Sequence, residues 1–180
     1  PTGSGGPGGP VISSISTIPA IPLDTLSTNV QASVVDLALL CREVLDFHEA
    51  VLHEAGLQAR VDGQVVVTGD PGLLQRALSN LLSNAVRHAR PGSQIVVRIA
   101  GAAGGRNSLA VENQGDALAE RELGRIFERF YRADSSRRDG GAHHGLGLAI
   151  VAAIARMHGG QTFARSADGI TTIGLQLPSG

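Results

Sequence analysis

The chain has 180 residues, is 42% hydrophobic and carries a formal net charge of −1. That balance excludes a general affinity for nucleic-acid or membrane phosphates, where a basic excess is expected, so any anion binding has to be local. Cys41 is the sole cysteine, which excludes an internal disulfide and a two-thiolate metal site within one chain and suits a reducing compartment.

Taken in chain order, residues 1–10 (PTGSGGPGGP) have almost nothing to bury and read as a linker or tag-like remnant. Residues 11–34 mix β-branched residues with Pro19, Pro22 and polar breaks, which predicts an extended segment with at most one edge strand. The N-terminus lacks the basic start and apolar centre of a signal peptide, and no apolar run reaches the roughly 18 residues of a membrane span, so a soluble chain is expected. Val35 to Gly56 places Leu37, Leu40, Val44, Phe47 and Val51 at helical spacing and ends on a glycine, predicting one helix. QARVDGQVVVTGD then alternates and turns at Asp62-Gly63, a hairpin signal, before Pro71 opens a second helix. QIVVRIA and SLAVEN, separated by GAAGGRN, read as two antiparallel strands. Arg121 to Phe130 is predicted as a short helix, Leu146 to His158 as a longer one, and QTFARSA with TTIGLQLP as a hairpin around Asp168-Gly169. The sum is an α+β fold over residues 35–178: a two-layer sandwich, with a mixed sheet covered on one face by about three helices.

The chemistry concentrates in two places. In LSNLLSNAVRH, Asn80 and Asn84 stand four residues apart within an apolar run, so they share one helix face, and His88 extends the stripe. In GGAHHGLGLAIV, Gly145 and Gly147 precede a helix, and a glycine-rich loop entering a helix offers free N–H groups and a positive dipole end to a phosphate. Amide oxygens can ligate Mg²⁺ while leaving the site less negative for an incoming triphosphate than carboxylates would.

The segments NLLSNAVRH, VENQGDAL, IFERFYRAD and GLGLAIVAAIARMHGG occur in the order and at roughly the spacing of the N, G1, F and G2 boxes of histidine protein kinases. Over about residues 35–178 the chain resembles the catalytic, ATP-binding domain of a sensor kinase, in the superfamily that includes DNA gyrase and a class of heat-shock chaperone ATPases. The resemblance implies ATP and Mg²⁺ as ligands, with Asn84 the principal Mg²⁺ ligand, Asn80 beside it and His88 near the phosphates. It implies that Asn113 contacts the adenine amino group and that Gly115 lets the backbone approach the base. Phe127 and Phe130 would anchor a mobile ATP lid between them and Gly145, and Gly145 with Gly147 would face the phosphates. Arg87, Ala117, Arg132, Leu146 and Leu148 fall in the same boxes and are expected to line the nucleotide site.

Three positions depart from the family pattern: Asn113 replaces the usual aspartate of G1, Ala117 its second glycine, and His143 the first glycine of G2. Asn113 can still recognise adenine, its Oδ1 accepting from the exocyclic amine while Nδ2 donates to a ring nitrogen. The VEN-x-G form also resembles heavy-metal (copper, silver, zinc or cadmium) resistance sensor kinases. Asn80 stands where related ATPases carry a general-base glutamate, so slow hydrolysis is expected.

No run resembles Ser-His-Glu-Leu-Arg-x-Pro, the phosphoacceptor motif of these kinases; His48-Glu49 and His53-Glu54 do not continue that way. The resemblance therefore implies the phosphoryl-donor part of a membrane kinase, lying on the cytoplasmic side. Its partners would be the dimerisation and phosphoacceptor hairpin of the parent and a cognate response regulator, with no nucleic-acid or membrane contact. The alternative is a regulatory module of the same fold with impaired nucleotide binding. His48, His53 and the His143-His144 pair are poor metal sites at their spacing and read as ordinary surface residues, as does Arg137-Arg138.

Overall fold

The computed structural model describes residues 31–101, 105–131 and 145–179. The elements run β1 (Ser33–Asp36), α1 (Leu37–Phe47), α2 (Glu49–Glu54), β2 (Gln58–Asp62), β3 (Val66–Gly69), α3 (Pro71–His88), β4 (Gln94–Gly101), β5 (Arg106–Gln114), α4 (Glu120–Leu123), α5 (Gly147–Met157), β6 (Gln161–Ala167) and β7 (Ile170–Pro178). A five-stranded mixed sheet has the order β2-β4-β5-β7-β6, with β2 parallel to β4 and the remaining pairs antiparallel. β1 and β3 form a separate antiparallel pair. Strands alternate as a sheet covered on one side requires: Ile95, Val97 and Ile99 of β4, Leu109 and Val111 of β5, and Ile173, Leu175 and Leu177 of β7 are buried. The facing helices bury Leu37 and Leu40 of α1, Leu74, Leu78, Leu81 and Leu82 of α3, and Val151 and Ile154 of α5. The two-layer α+β sandwich is thus as expected. Among the described residues no helix is long and apolar enough to cross a membrane.

Three local expectations are corrected. The helix expected from Val35 begins at Leu37, because Val34 and Val35 pair with Thr68 and Val67 in the small sheet and the Asp36 carboxylate caps α1 by accepting from Ala38 N–H. It also breaks at His48, where the backbone leaves helical angles before α2 resumes at Glu49. The hairpin expected at Asp62-Gly63 does not form. β2 joins β4 in parallel after the chain has crossed through α3, a connection that parallel pairing demands, while β3 is drawn to β1, with Leu37 N–H donating to Val65 O. Of the helix expected over 121–130 only Glu120–Leu123 forms, held by the Glu122 carboxylate accepting from Ala119 N–H; turns follow through Gly124.

Two interactions set the position of α3. The Asp70 side chain caps its first turn, accepting from Leu73 N–H at 3.0 Å. The His158 ring, just past α5, donates from Nδ1 to Ile154 O and accepts from Asp70 N–H at Nε2, 2.8 and 3.0 Å respectively. The C-terminal end of α5 is thereby tied to the N-terminal end of α3. On the solvent face of the sheet, Arg98 bridges Asp62 and Glu112; the Arg98 and Asp62 side chains are nearly half exposed, so the bridge orders the face more than it stabilises it. Cys41 is fully buried, and burial pushes its thiol up to about 12.

Truncating Leu82 to Ala, at a fully buried site, is expected to cost about 2–5 kcal/mol in urea unfolding. Phe47→Ala, at an 85% exposed site, should change stability by no more than about 0.5 kcal/mol. The N–H groups that Asp36 and Asp70 accept, chiefly those of Leu39 and Leu73, hold both carboxyls below their usual range. Their contribution is present above the ordinary carboxyl range and disappears as pH falls through the lowered values. Thermal unfolding between pH 7 and 3 should therefore fall less steeply in Asp70→Asn than in the parent.

Candidate functional site

Burial of Leu74, Ala77, Leu78, Leu81, Leu82 and Ala85 fixes the rotation of α3 about its axis. Asn80, Asn84 and His88 then fall half-buried at the border of that face, one turn apart, with Arg87 exposed beside them. The stripe predicted from spacing is present. Asn80 Nδ2 donates to Arg76 O at 2.8 Å, which leaves Oδ1 directed at the start of α5. A Cβ added to Gly147 would stand 3.1 Å from that oxygen, so glycine lets the helix begin against the amide. Among the described residues the Asn84 carboxamide has no hydrogen bond, and its oxygen is available.

α5 begins without a side-chain cap, since Leu146 at the N-cap supplies none. Its first N–H groups are the helix's positive end, a fit for an anionic ligand brought beside the amides. Leu146 and Leu148 are both half-buried, and Leu148 packs on the core.

β5 supplies the other side. Asn113, 3% exposed, points to the helix layer at the end of the strand. Opposite it on β7 is Thr171, 5% exposed, and beyond that on β6 is Ser166. The Ser166 and Thr171 hydroxyls share a 3.0 Å hydrogen bond, and Leu118 N–H donates to Ser166 Oγ at 3.0 Å. Sequence reasoning missed Thr171 and Ser166; the signal was a run of hydroxyl residues at strand ends, whose alignment with Asn113 is set by register across three strands.

A Cβ on Gly115 would lie 2.1 Å from His88 O, so the glycine allows the close passage of the chain under the end of α3. Gly115 N–H donates to Gly169 O and Arg90 N–H to Gln114 O, at 3.0 and 2.7 Å. These bonds tie Asn113 to the far end of the asparagine helix. Ala117 is exposed in the loop that follows.

Phe127 packs partly buried against the core, and the Phe130 side chain is 66% exposed. Its backbone has φ +64° and its N–H donates to Gly145 O at 3.0 Å, so Phe130 and Gly145 meet through main chain. Tyr131, whose ring lies 4.6 Å from the Arg125 guanidinium carbon, packs against the core next door. Gly145 has φ +62°, and a Cβ there would come within 2.8 Å of Tyr131 O. The expected lid itself, with Arg132, Arg137, Arg138, His143 and His144, lies outside the described residues. His48 Nδ1 bonds Val44 O within its own helix. A groove of about 360 Å³ between α1 and α3, lined by Glu43, Val44, Phe47, Gln75 and Ser79, is separate from the amide stripe.

The family model for histidine kinase-, DNA gyrase B-, and HSP90-like ATPases matches residues 69–180. The chain is 40% identical over 157 residues to the sensor protein CzcS of Cupriavidus metallidurans, covering 84% of this chain and 32% of that protein. It is 40% identical over 150 residues to the sensor histidine kinase CusS of Escherichia coli K12, covering 83% and 31%. The chain thus spans about a third of the length of these relatives. The structure of the mycobacterial sensor histidine kinase MprB superposes with a TM-score of 0.69 at 30% identity, covering 82% of this chain and 97% of that one. Full-length ShkA in complex with AMPPNP superposes with a TM-score of 0.71 at 25% identity, covering 83% and 31%. The family model spans well over half of the chain, and the chain belongs to the histidine kinase-, DNA gyrase B- and HSP90-like ATPase family.

Proposed function

We propose that this chain is the ATP-binding catalytic domain of a two-component sensor histidine kinase, presenting the γ-phosphate of ATP to a histidine on a separate dimerisation hairpin. The observation that carries the proposal is the convergence of Asn80 Oδ1 with the uncapped start of α5 at Gly147, across from the buried Asn113. The likeness to MprB and CusS supports it, as does the AMPPNP bound by ShkA.

In this reading Asn113 recognises the base, Gly145 and Gly147 give the phosphates access to backbone N–H groups, and Arg87 and His88 border them. The donor set suits a hard cation: Asn84 and Asn80 would hold Mg²⁺ through Oδ1, and the ion would supply charge neutralisation for the triphosphate. Catalysis by the chain itself is then positioning and electrostatics, with the acceptor imidazole as nucleophile. Asn80 cannot abstract a proton from water, which disfavours hydrolysis. A module with impaired nucleotide binding is the less favoured reading, because the relatives that the chain matches at 40% identity are sensor kinases.

The histidine kinase ThkA has been solved in complex with the response regulator TrrA, and a cognate response regulator is the proposed recipient here. The parent is proposed as an inner-membrane sensor of heavy metals, on the VEN-x-G form at Val111–Gly115 together with the likeness to CzcS and CusS.

Calorimetric titration of ATP with and without Mg²⁺ tests the assignment. Saturable binding that Mg²⁺ strengthens is expected, and Asn84→Ala should lose about tenfold or more of the Mg²⁺-dependent affinity while its thermal unfolding stays near that of the parent. Unchanged Mg²⁺ dependence in that variant would remove Asn84 from the metal site. Phosphate release from ATP by the chain alone should be slow; rapid turnover would point instead to an ATPase of the gyrase or chaperone type.

A further inference from the structure

The row formed by Asn113, Thr171 and Ser166 has no side chain of fixed hydrogen-bond polarity. A carboxylate in the place of Asn113 would only accept, and so would favour a purine bearing an amine at C6 over one bearing a carbonyl. A carboxamide presents an acceptor and a donor of nearly the same shape, interchanged by a half-turn about its last rotatable bond. Among the described residues no hydrogen bond pins the Asn113 carboxamide in one orientation, and the one sealed side-chain polar atom without a partner is Ser93 Oγ, elsewhere. The hydrogen bond between the Ser166 and Thr171 hydroxyls can likewise run in either direction. The carboxylates close in sequence are placed elsewhere. Glu112 lies on the opposite face with Arg98, Asp116 is exposed, and Glu122 accepts from the Ala119 amide.

We propose that the site accepts 6-oxopurine nucleotides, those of guanine and hypoxanthine, alongside adenine nucleotides, with Asn113 turning its carboxamide to read either edge. With adenine, Oδ1 accepts from the exocyclic N–H and Nδ2 donates to N1. With hypoxanthine, Nδ2 donates to O6 and Oδ1 accepts from N1–H. Each pose makes two hydrogen bonds and strands no buried polar atom, which removes the usual source of strong discrimination. Asn113 is thus a specificity-determining residue whose effect is to relax the choice of base. The inference rests on the nucleotide site proposed above and deepens it.

Inosine triphosphate is the sharpest probe, since it differs from ATP only along the edge that Asn113 reads. Calorimetric titration of the full chain in Mg²⁺ should give dissociation constants for ATP and inosine triphosphate within about tenfold of each other. In Asn113→Asp the inosine nucleotide should weaken by about 100-fold relative to ATP, as a carboxylate faces O6 and one bond is lost. A parent that binds ATP but disfavours inosine triphosphate by more than about tenfold overturns the inference, as does an unchanged ratio in a folded Asn113→Asp. Should thermal unfolding show that the aspartate variant does not fold, the ratio in the parent decides alone. A parent that binds neither nucleotide defeats the nucleotide-site reading itself, a result distinct from loss of the inosine arm only.

Discussion

The close approach of the Asn80 carboxamide to Gly147 is the constraint on which the rest of the site depends. It requires that α3 be rotated so that its leucines face the sheet, since only that rotation leaves the asparagines at the border of the buried face. It also requires a residue without a side chain where α5 begins. Neither condition is local to the site. The rotation of α3 is set by hydrophobic burial along its whole length, an energy much larger than any single polar contact. A few half-buried amides are therefore held in place by a core that has no chemistry of its own.

The parts of the fold that could be read from sequence are those where period and punctuation agree. α3 has Pro71 at its start and leucines in a sustained helical stripe, and it was legible from end to end. The β6–β7 hairpin was legible because two alternating runs flank Asp168-Gly169, and both residues take positive φ. Reading failed where non-local pairing overrode a local signal. Val35 sits directly before a helical stripe and reads as its first residue, although β3 captures it together with Val34. Asp62-Gly63 carries a good turn signal, but the partner of β2 is β4, on the far side of α3. No window of a dozen residues contains that information.

The same division runs through the site. Asn80, Asn84, His88, Gly145 and Gly147 were legible because helix spacing and glycine placement are local patterns. Thr171 and Ser166 were not, because nothing near them distinguishes a hydroxyl at the end of a covered strand from one on an ordinary strand. Their relation to Asn113 exists only in the register of three strands, two of which lie more than 50 residues further along the chain. Gly115 is needed on one count that no local pattern announces: an added Cβ would stand 2.1 Å from the carbonyl oxygen of His88, 27 residues earlier in the chain.

The bond from Asp70 N–H to His158 joins α3 and α5 at the end away from Asn80 and Gly147, so the two helices act as rulers measured from a shared origin. A residue inserted into α3 between Asp70 and Asn80 would lengthen one ruler by about 1.5 Å and turn the amides by about 100°. Residues gained or lost between Tyr131 and Gly145 would leave both counts unchanged, because those positions lie outside the two measured spans. The alignment of the two helices is in this sense a matter of counting residues from the joined end, and that count limits where the chain can gain or lose a residue over evolutionary time.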